Sequence, residues 1–164
     1  MRLAPQETRT YFVTSNTVIR KMIFTSSAMA ELFISICDEN RAKRRLEIHE
    51  FVVMPDHFHM ILTPAFEVSL EKAVQFLKGG FSFRAKKELG YVHEIWHKSF
   101  NEHQIGDWND YEKHRQYIYR NPVKRGLAKI PEEFRCSSAN PRFKMDPMPG
   151  WMEPGLKADS KGAR

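Results

Sequence analysis

Residues 46–63 read LEIHEFVVMPDHFHMILT. Leu46 to Val53 and His57 to Thr63 are two short β-rich runs separated by Met54, Pro55 and Asp56. The break is turn chemistry, so the two runs form a hairpin of adjacent antiparallel strands. On the N-terminal side, Met29, Leu32, Phe33, Ile36 and Cys37 recur at helical spacing behind a serine cap. They predict an amphipathic helix from Ser27 to about Arg44. Tyr11 to Ile19, rich in Val, Thr, Ile and aromatics, reads as an opening strand. On the C-terminal side, Ser69 caps a second helix with Leu70, Ala73, Val74, Leu77 and Phe81 on one side. Gly79-Gly80 marks a kink or the close approach of a ligand within it. A strand-like stretch follows from Ile95 to Ile105, and a third helix starts near Asn109. Pro122 predicts its end near Asn121, because a proline disfavours helical geometry in the preceding residue. The order β-α-β-β-α-β-α predicts an α+β, ferredoxin-like sandwich: a central antiparallel sheet with helices packed on it.

The 164 residues carry a net charge of +6, with 41% hydrophobic and 28% charged residues. That balance excludes a disordered chain, and no apolar run approaches the roughly 20 residues of a membrane span. The opening MRLAPQETRTYF lacks the apolar region of a secretory leader. Cys37 and Cys136 are too few for a disulfide framework and badly spaced for zinc, so the expected setting is reducing and cytoplasmic. The basic excess permits a polyanion partner without identifying one. Residues 137–164, with five basic and three acidic groups, account for +2 of it and leave +4 on the body. Four prolines, Pro141, Pro147, Pro149 and Pro154, and the lack of any period predict an extended or poorly ordered arm over residues 139–164. Trp151 and three methionines offer points at which part of it is pinned.

Two local patterns point to chemistry. In a strand, residues two apart share a face, so His57 and His59 project together while Phe58 and Met60 face the other way. Two imidazoles one pleat apart can chelate a divalent ion. On the third helix Tyr117 and Asn121, four apart, share a face from which Tyr119 points away. Asn121 offers a hard carbonyl oxygen suited to Mg²⁺ or Mn²⁺ beside the two imidazoles. Tyr117 then lies one turn from the ion as a nucleophile, with a metal-polarised phosphodiester as its target. For the histidines, one surface and one core residue is an equal alternative to metal binding, and for Tyr117 and Asn121 spacing alone favours a half-buried helix aromatic and an asparagine cap. Lys78, Arg84, Lys86 and Lys87, interleaved with Phe81, Phe83 and Tyr91, together with Lys124 and Arg125, are candidate DNA contacts. For Phe81 core packing is the favoured reading, and for the lysines a solvated helix face is an equal alternative. His97 and His103 are candidates to line the site. His49, His93 and His114 read as ordinary residues, and Trp96 as core.

The runs HEFVVMPDHFHMIL and YIYRNPVKRGLA, joined by WHKSFNEHQIGDWNDYEKHRQYI, resemble the HUH single-tyrosine transposases, and more closely their REP-associated branch. With the opening strand, the resemblance covers roughly residues 8 to 138 and defines a transposase domain over 1–138. It implies a single-stranded DNA endonuclease and strand transferase acting at hairpin-forming repeats. Tyr117 would be the nucleophile of a 5′-phosphotyrosine intermediate, and His57, His59 and Asn121 the ligands of Mg²⁺ or Mn²⁺. The chain departs from the family pattern at Cys136, where a tryptophan usually precedes the Ser-Ser pair, and at Tyr119, often a histidine. These positions bear on subfamily and substrate, not on the metal or nucleophile. A non-catalytic module binding single-stranded nucleic acid, and a metal phosphodiesterase without a covalent step, are the competing expectations. Whether one copy acts or two is open at this level.

Overall fold

The computed structural model describes residues 8–152. Four strands form one sheet in the order β2-β3-β1-β4: β1 Tyr11–Asn16, β2 Leu46–Met54, β3 His57–Pro64 and β4 Asn101–Gln104. All neighbours are antiparallel, and Pro55-Asp56 closes the β2–β3 hairpin with Met54 opposite His57. Three helices complete the chain: α1 Ser27–Ala42, α2 Leu70–Leu89 and α3 Trp108–Lys124. Their side chains divide the helices between two faces. Val13, Phe51, Val53, Phe58, Met60 and Leu62 pack against α1 and α2, with Phe33 of α1 5.0 Å from Phe58 between ring centroids. Val52, Met54 and Ile61 face α3, where they meet Tyr111 and Ile118. The α+β sandwich is thus present, with its third helix alone on the second face.

Helix starts follow side-chain chemistry. Ser26 and Ser69 accept from the backbone N–H of Met29 and Lys72, and Asp107 accepts from Asp110. Each satisfies a first-turn donor that the helix itself cannot pair.

Four local expectations need correction. The first strand stops at Asn16 rather than Ile19. Thr17 turns the chain by donating its hydroxyl to the carbonyls of Lys21 and Asp56, and Ile19 and Arg20 take left-handed φ values of 46° and 55°. The strand expected over Ile95 to Ile105 shrinks to Asn101–Gln104. Upstream of it only an isolated antiparallel bridge pairs Trp96 with Thr17, and the Trp96 ring packs on Phe24, Phe33, Phe58 and Phe81, its indole N–H donated to the Lys78 carbonyl. The third helix runs through Pro122 to Lys124. So near the C-terminus a proline forfeits few helical bonds, and the turn ends at Gly126, whose φ of 74° suits glycine. Finally, α2 is unbroken at Gly79-Gly80. A Cβ on Gly80 would sit 3.4 Å from Ile36 of α1, so the close approach there is helix against helix, not ligand.

The arm up to Met152 is packed on the domain. Val53 N–H donates to the Cys136 carbonyl and Ser138 N–H to the Phe51 carbonyl, covering the outer edge of β2. Beyond Ser138 the chain crosses from one face to the other. Phe143 packs on Phe51, while Met152 is fully buried with the α3 cluster. A bulge between Ile48 and Glu50 turns the His49 ring to the arm, where Nδ1 lies 2.9 Å from the Pro147 carbonyl and Nε2 2.8 Å from Thr63 Oγ1. The remainder of the expected arm, 153–164, lies outside the described residues. Asp146 is the clasp, accepting from Arg41 Nε and from Ile48 N–H at 2.8 Å each. Partial burial opposes its ionised form, but these partners outweigh it and hold its carboxyl below the usual range. Asp146→Ala should therefore cost about 1.5–3 kcal/mol at pH 7 in a urea titration. A depressed pKa stabilises above the unfolded-state value and is lost as pH falls through the folded one. The difference between wild type and variant should accordingly fade below about pH 4.

Candidate active site

His57 and His59 both project to the α3 face of β3, in register with Asn16 and Thr14 of β1. Their rings lie 4.7 Å apart between centroids and are almost wholly buried. His57 Nδ1 is 2.7 Å from Asp56 Oδ1, and the other Asp56 oxygen takes Arg20 Nε at 2.8 Å. A carboxylate only accepts, so the His57 proton sits on Nδ1 and Nε2 carries the free lone pair. His59 Nδ1 is 2.7 Å from Thr14 Oγ1, while its Nε2 is buried without a partner.

Burial lowers the pKa of both imidazoles, against the pull of Asp56 on His57. His59 is driven to about 3, with His57, Arg125 and Arg20 adding to the effect. Both rings are therefore neutral at pH 7, the form that coordinates a metal.

Across from them, α3 presents Tyr117 and Asn121 one turn apart. The Tyr117 ring meets the His59 ring edge-on at 5.1 Å, and its side of the helix opens to solvent, with the residue 49% exposed. Asn121 is buried, and its Oδ1 also lacks any partner. Buried polar atoms are rarely left unpaired, and two of them in one site, an imidazole nitrogen and an amide oxygen, are a set that could hold a cation. Phe12 of β1 supplies the floor, stacking on His59 at 5.4 Å and standing edge-on to Tyr117 at 6.0 Å. The cleft in front holds about 920 Å³ and is lined by Phe12, Tyr117, Asn121, Lys124 and Arg125, with Arg120 at its rim.

The structure thus gathers His57, His59, Tyr117, Asn121, Lys124 and Arg125. It does not bring the basic residues of α2 to them, because α2 covers the opposite face of the sheet. There Arg84 is paired with Glu88 and Glu39, and Lys78 donates to the carbonyls of His97 and Ser99. Lys86 and Lys87 are exposed on the same helix. Tyr119 turns from the cleft and donates its hydroxyl to buried Glu50, which Ser138 also bonds. The tyrosine at this divergent position ties α3 to β2 and to the closing segment.

Sequence reasoning missed Thr14, Asp56 and Arg20, which orient the histidines, and Phe12 and His114, which line the cleft. Asp56 adjoins the histidine pair and was legible as a partner; the others depend on strand register. Asp56→Ala frees the His57 ring, and loss of such an outer partner typically costs about 10–100-fold in metal affinity. Titration with Mn²⁺ should show that weakening, read on protein that circular dichroism shows to be folded, because the change also removes the ion pair with Arg20.

A sheet bearing paired histidines, faced by a helix bearing tyrosine and asparagine, is the arrangement that the resemblance to the single-tyrosine transposases implies. The chain belongs to the IS200-like transposase family, whose model matches residues 8–121. Within it, the chain is similar to the REP-associated tyrosine transposase of Escherichia coli K12. The two are 32% identical over 121 residues, 73% of this chain and 70% of that protein. A proposed REP-associated tyrosine transposase of Haemophilus influenzae is 30% identical over 96 residues, and the chain spans 54% of its length. A solved REP-associated tyrosine transposase bound to a REP hairpin superposes with a TM-score of 0.67. It is 28% identical, with 91% of this chain and 90% of that one covered. Among the described residues no helix is long and apolar enough to cross a membrane.

Proposed function

We propose that the protein cuts and rejoins single-stranded DNA at hairpin-forming, REP-like repeats through a covalent tyrosine link. The observation that carries this reading is Tyr117, half exposed in the cleft and in edge contact with His59 of the same chain. The phenol oxygen attacks a backbone phosphorus, the bond from phosphorus to the 3′ oxygen breaks, and that oxygen leaves as a 3′-OH. The phenol proton goes to solvent, solvent supplies the proton that the leaving 3′ oxygen takes up, and the 5′ end stays on Tyr117 as a phosphodiester. Because a phosphodiester replaces a phosphodiester, a 3′-OH can reverse the step without an external energy source. His57, His59 and Asn121 would hold Mg²⁺ or Mn²⁺, which stabilises developing phosphate charge and orients the phosphate. Lys124 and Arg125 supply positive charge where the strand passes, and Phe12 an apolar floor. Nucleophile and histidines meet within one chain, which favours a site complete in a single copy.

The test is incubation with hairpin-bearing single-stranded oligonucleotides and Mn²⁺, read as an SDS-stable adduct. Cleavage without an adduct would transfer the chemistry to a metal-bound water, and binding without cleavage would leave only a recognition module. Lys124→Ala should weaken binding and reduce the salt slope by about 0.7, the share of one single-strand phosphate contact. An unchanged slope would place Lys124 outside the interface.

A further inference from the structure

We propose that His103, Asp110 and His114 form a second divalent-metal site, of zinc type, which ties the edge strand β4 to the helix bearing Tyr117. In register His103 lies opposite Phe12, so it projects to the face that α3 covers. Asp110 and His114, four residues apart, share one side of α3. His103 Nε2 is 2.8 and 3.0 Å from the two Asp110 oxygens, and His114 Nδ1 is 3.1 Å from Oδ1. The three donor atoms all lie within 4.8 Å of one another, and no other such group of three occurs among the described residues.

The cluster has an outer layer of its own. Gly106 N–H donates to Asp110 Oδ2 at 2.9 Å, fixing the carboxylate from the loop between β4 and α3. The Asp107 side chain accepts from Asp110 N–H at 2.8 Å, fixing the backbone beneath it. The two imidazoles are stacked, with centroids 4.8 Å apart. The Phe12 ring stands 4.6 Å from His114 and 5.4 Å from His59, between this cluster and the buried pair.

Two imidazole nitrogens and one carboxylate, with a position left for water, make a donor set for a borderline ion such as Zn²⁺. Mg²⁺ and Ca²⁺ prefer oxygen ligands throughout. Without metal, His103 gives its Nε2 hydrogen to Asp110, and His114 Nδ1 lies 2.8 Å from the Asp110 carbonyl. With zinc bound through these nitrogens, each ring would carry its hydrogen on its other nitrogen. β4 is held on one side only, by β1, and all four of its residues are exposed. An ion shared with α3 gives it a second attachment, directly over the turns that lead to Tyr117.

The test is zinc binding by competition with a chromophoric chelator, in a His57→Ala/His59→Ala background that removes the buried pair. One zinc per chain should remain, and Co²⁺ in its place should give the absorption bands of a low-coordinate nitrogen and oxygen site. His103→Ala, at an exposed position, and separately His114→Gln, which keeps the helix, should each weaken zinc at least about 100-fold. Circular dichroism in chelator confirms that both variants are folded. If the background variant takes up no zinc, or if both further variants bind it like their parent, the proposal fails. The readout is the metal itself, so the result stands apart from whether Tyr117 forms a DNA adduct.

Discussion

Tyr117→Phe is expected to abolish the SDS-stable DNA adduct and to lower cleavage by on the order of 10⁶-fold, the scale on which enzymes lose activity with their covalent nucleophile. The change removes one hydroxyl from a half-exposed ring and leaves its contacts with His59 and Phe12 in place. Fold, metal affinity and hairpin affinity should therefore stay close to wild type. Tyr119→Phe is the matched control. Its hydroxyl is donated to Glu50, and burial together with the Glu50 charge pushes its pKa up, away from any nucleophilic form. That variant should still form the adduct. An adduct that survives in Tyr117→Phe and disappears in Tyr119→Phe would reverse the assignment.

The second large effect is expected at the histidines. His59→Ala removes a buried imidazole whose free nitrogen has no other partner, and His57→Ala removes the ring held by Asp56. Each should eliminate Mn²⁺-dependent cleavage within detection and weaken Mn²⁺ at the site at least about 100-fold, beyond the loss from an outer partner alone. The proposed hairpin binding would draw on phosphate and base contacts rather than on the histidines, so it should change little. Parallel gel-shift and cleavage assays separate the two quantities. Normal cleavage in either variant would remove that histidine from the metal site.

The metal reading gains strength from what the fold does to these groups. A protonated histidine has no lone pair to offer a cation. Here burial keeps both rings neutral, Asp56 and Thr14 settle their orientation, and the Asn121 oxygen is enclosed without a partner. Such an arrangement is costly as mere structure, because each enclosed polar atom forfeits its hydrogen bond to water. A cation held there would relieve both together.

The hairpin, the two capped helices and the histidine pair were legible because they depend on local rules. A strand's period of two places His57 beside His59 whatever the rest of the chain does, and a serine before an apolar run starts a helix. Helical spacing likewise put Tyr117 and Asn121 on one face, and the family motifs implied a chemistry for them. Other features follow from contacts distant in sequence. The strand expected around Trp96 is reduced there to one bridge with Thr17 while the indole ring meets aromatic partners distant in sequence, and α3 survives Pro122 because the break falls in its last turn. Charge in sequence was a poor guide to the site for the same reason. The basic run on α2 looked as suitable as Lys124 and Arg125, yet the sheet stands between it and the cleft. Local periodicity was enough to determine which side chains share a face. Only the tertiary structure decided which faces meet, because that depends on register, layer order and packing between segments some sixty residues apart.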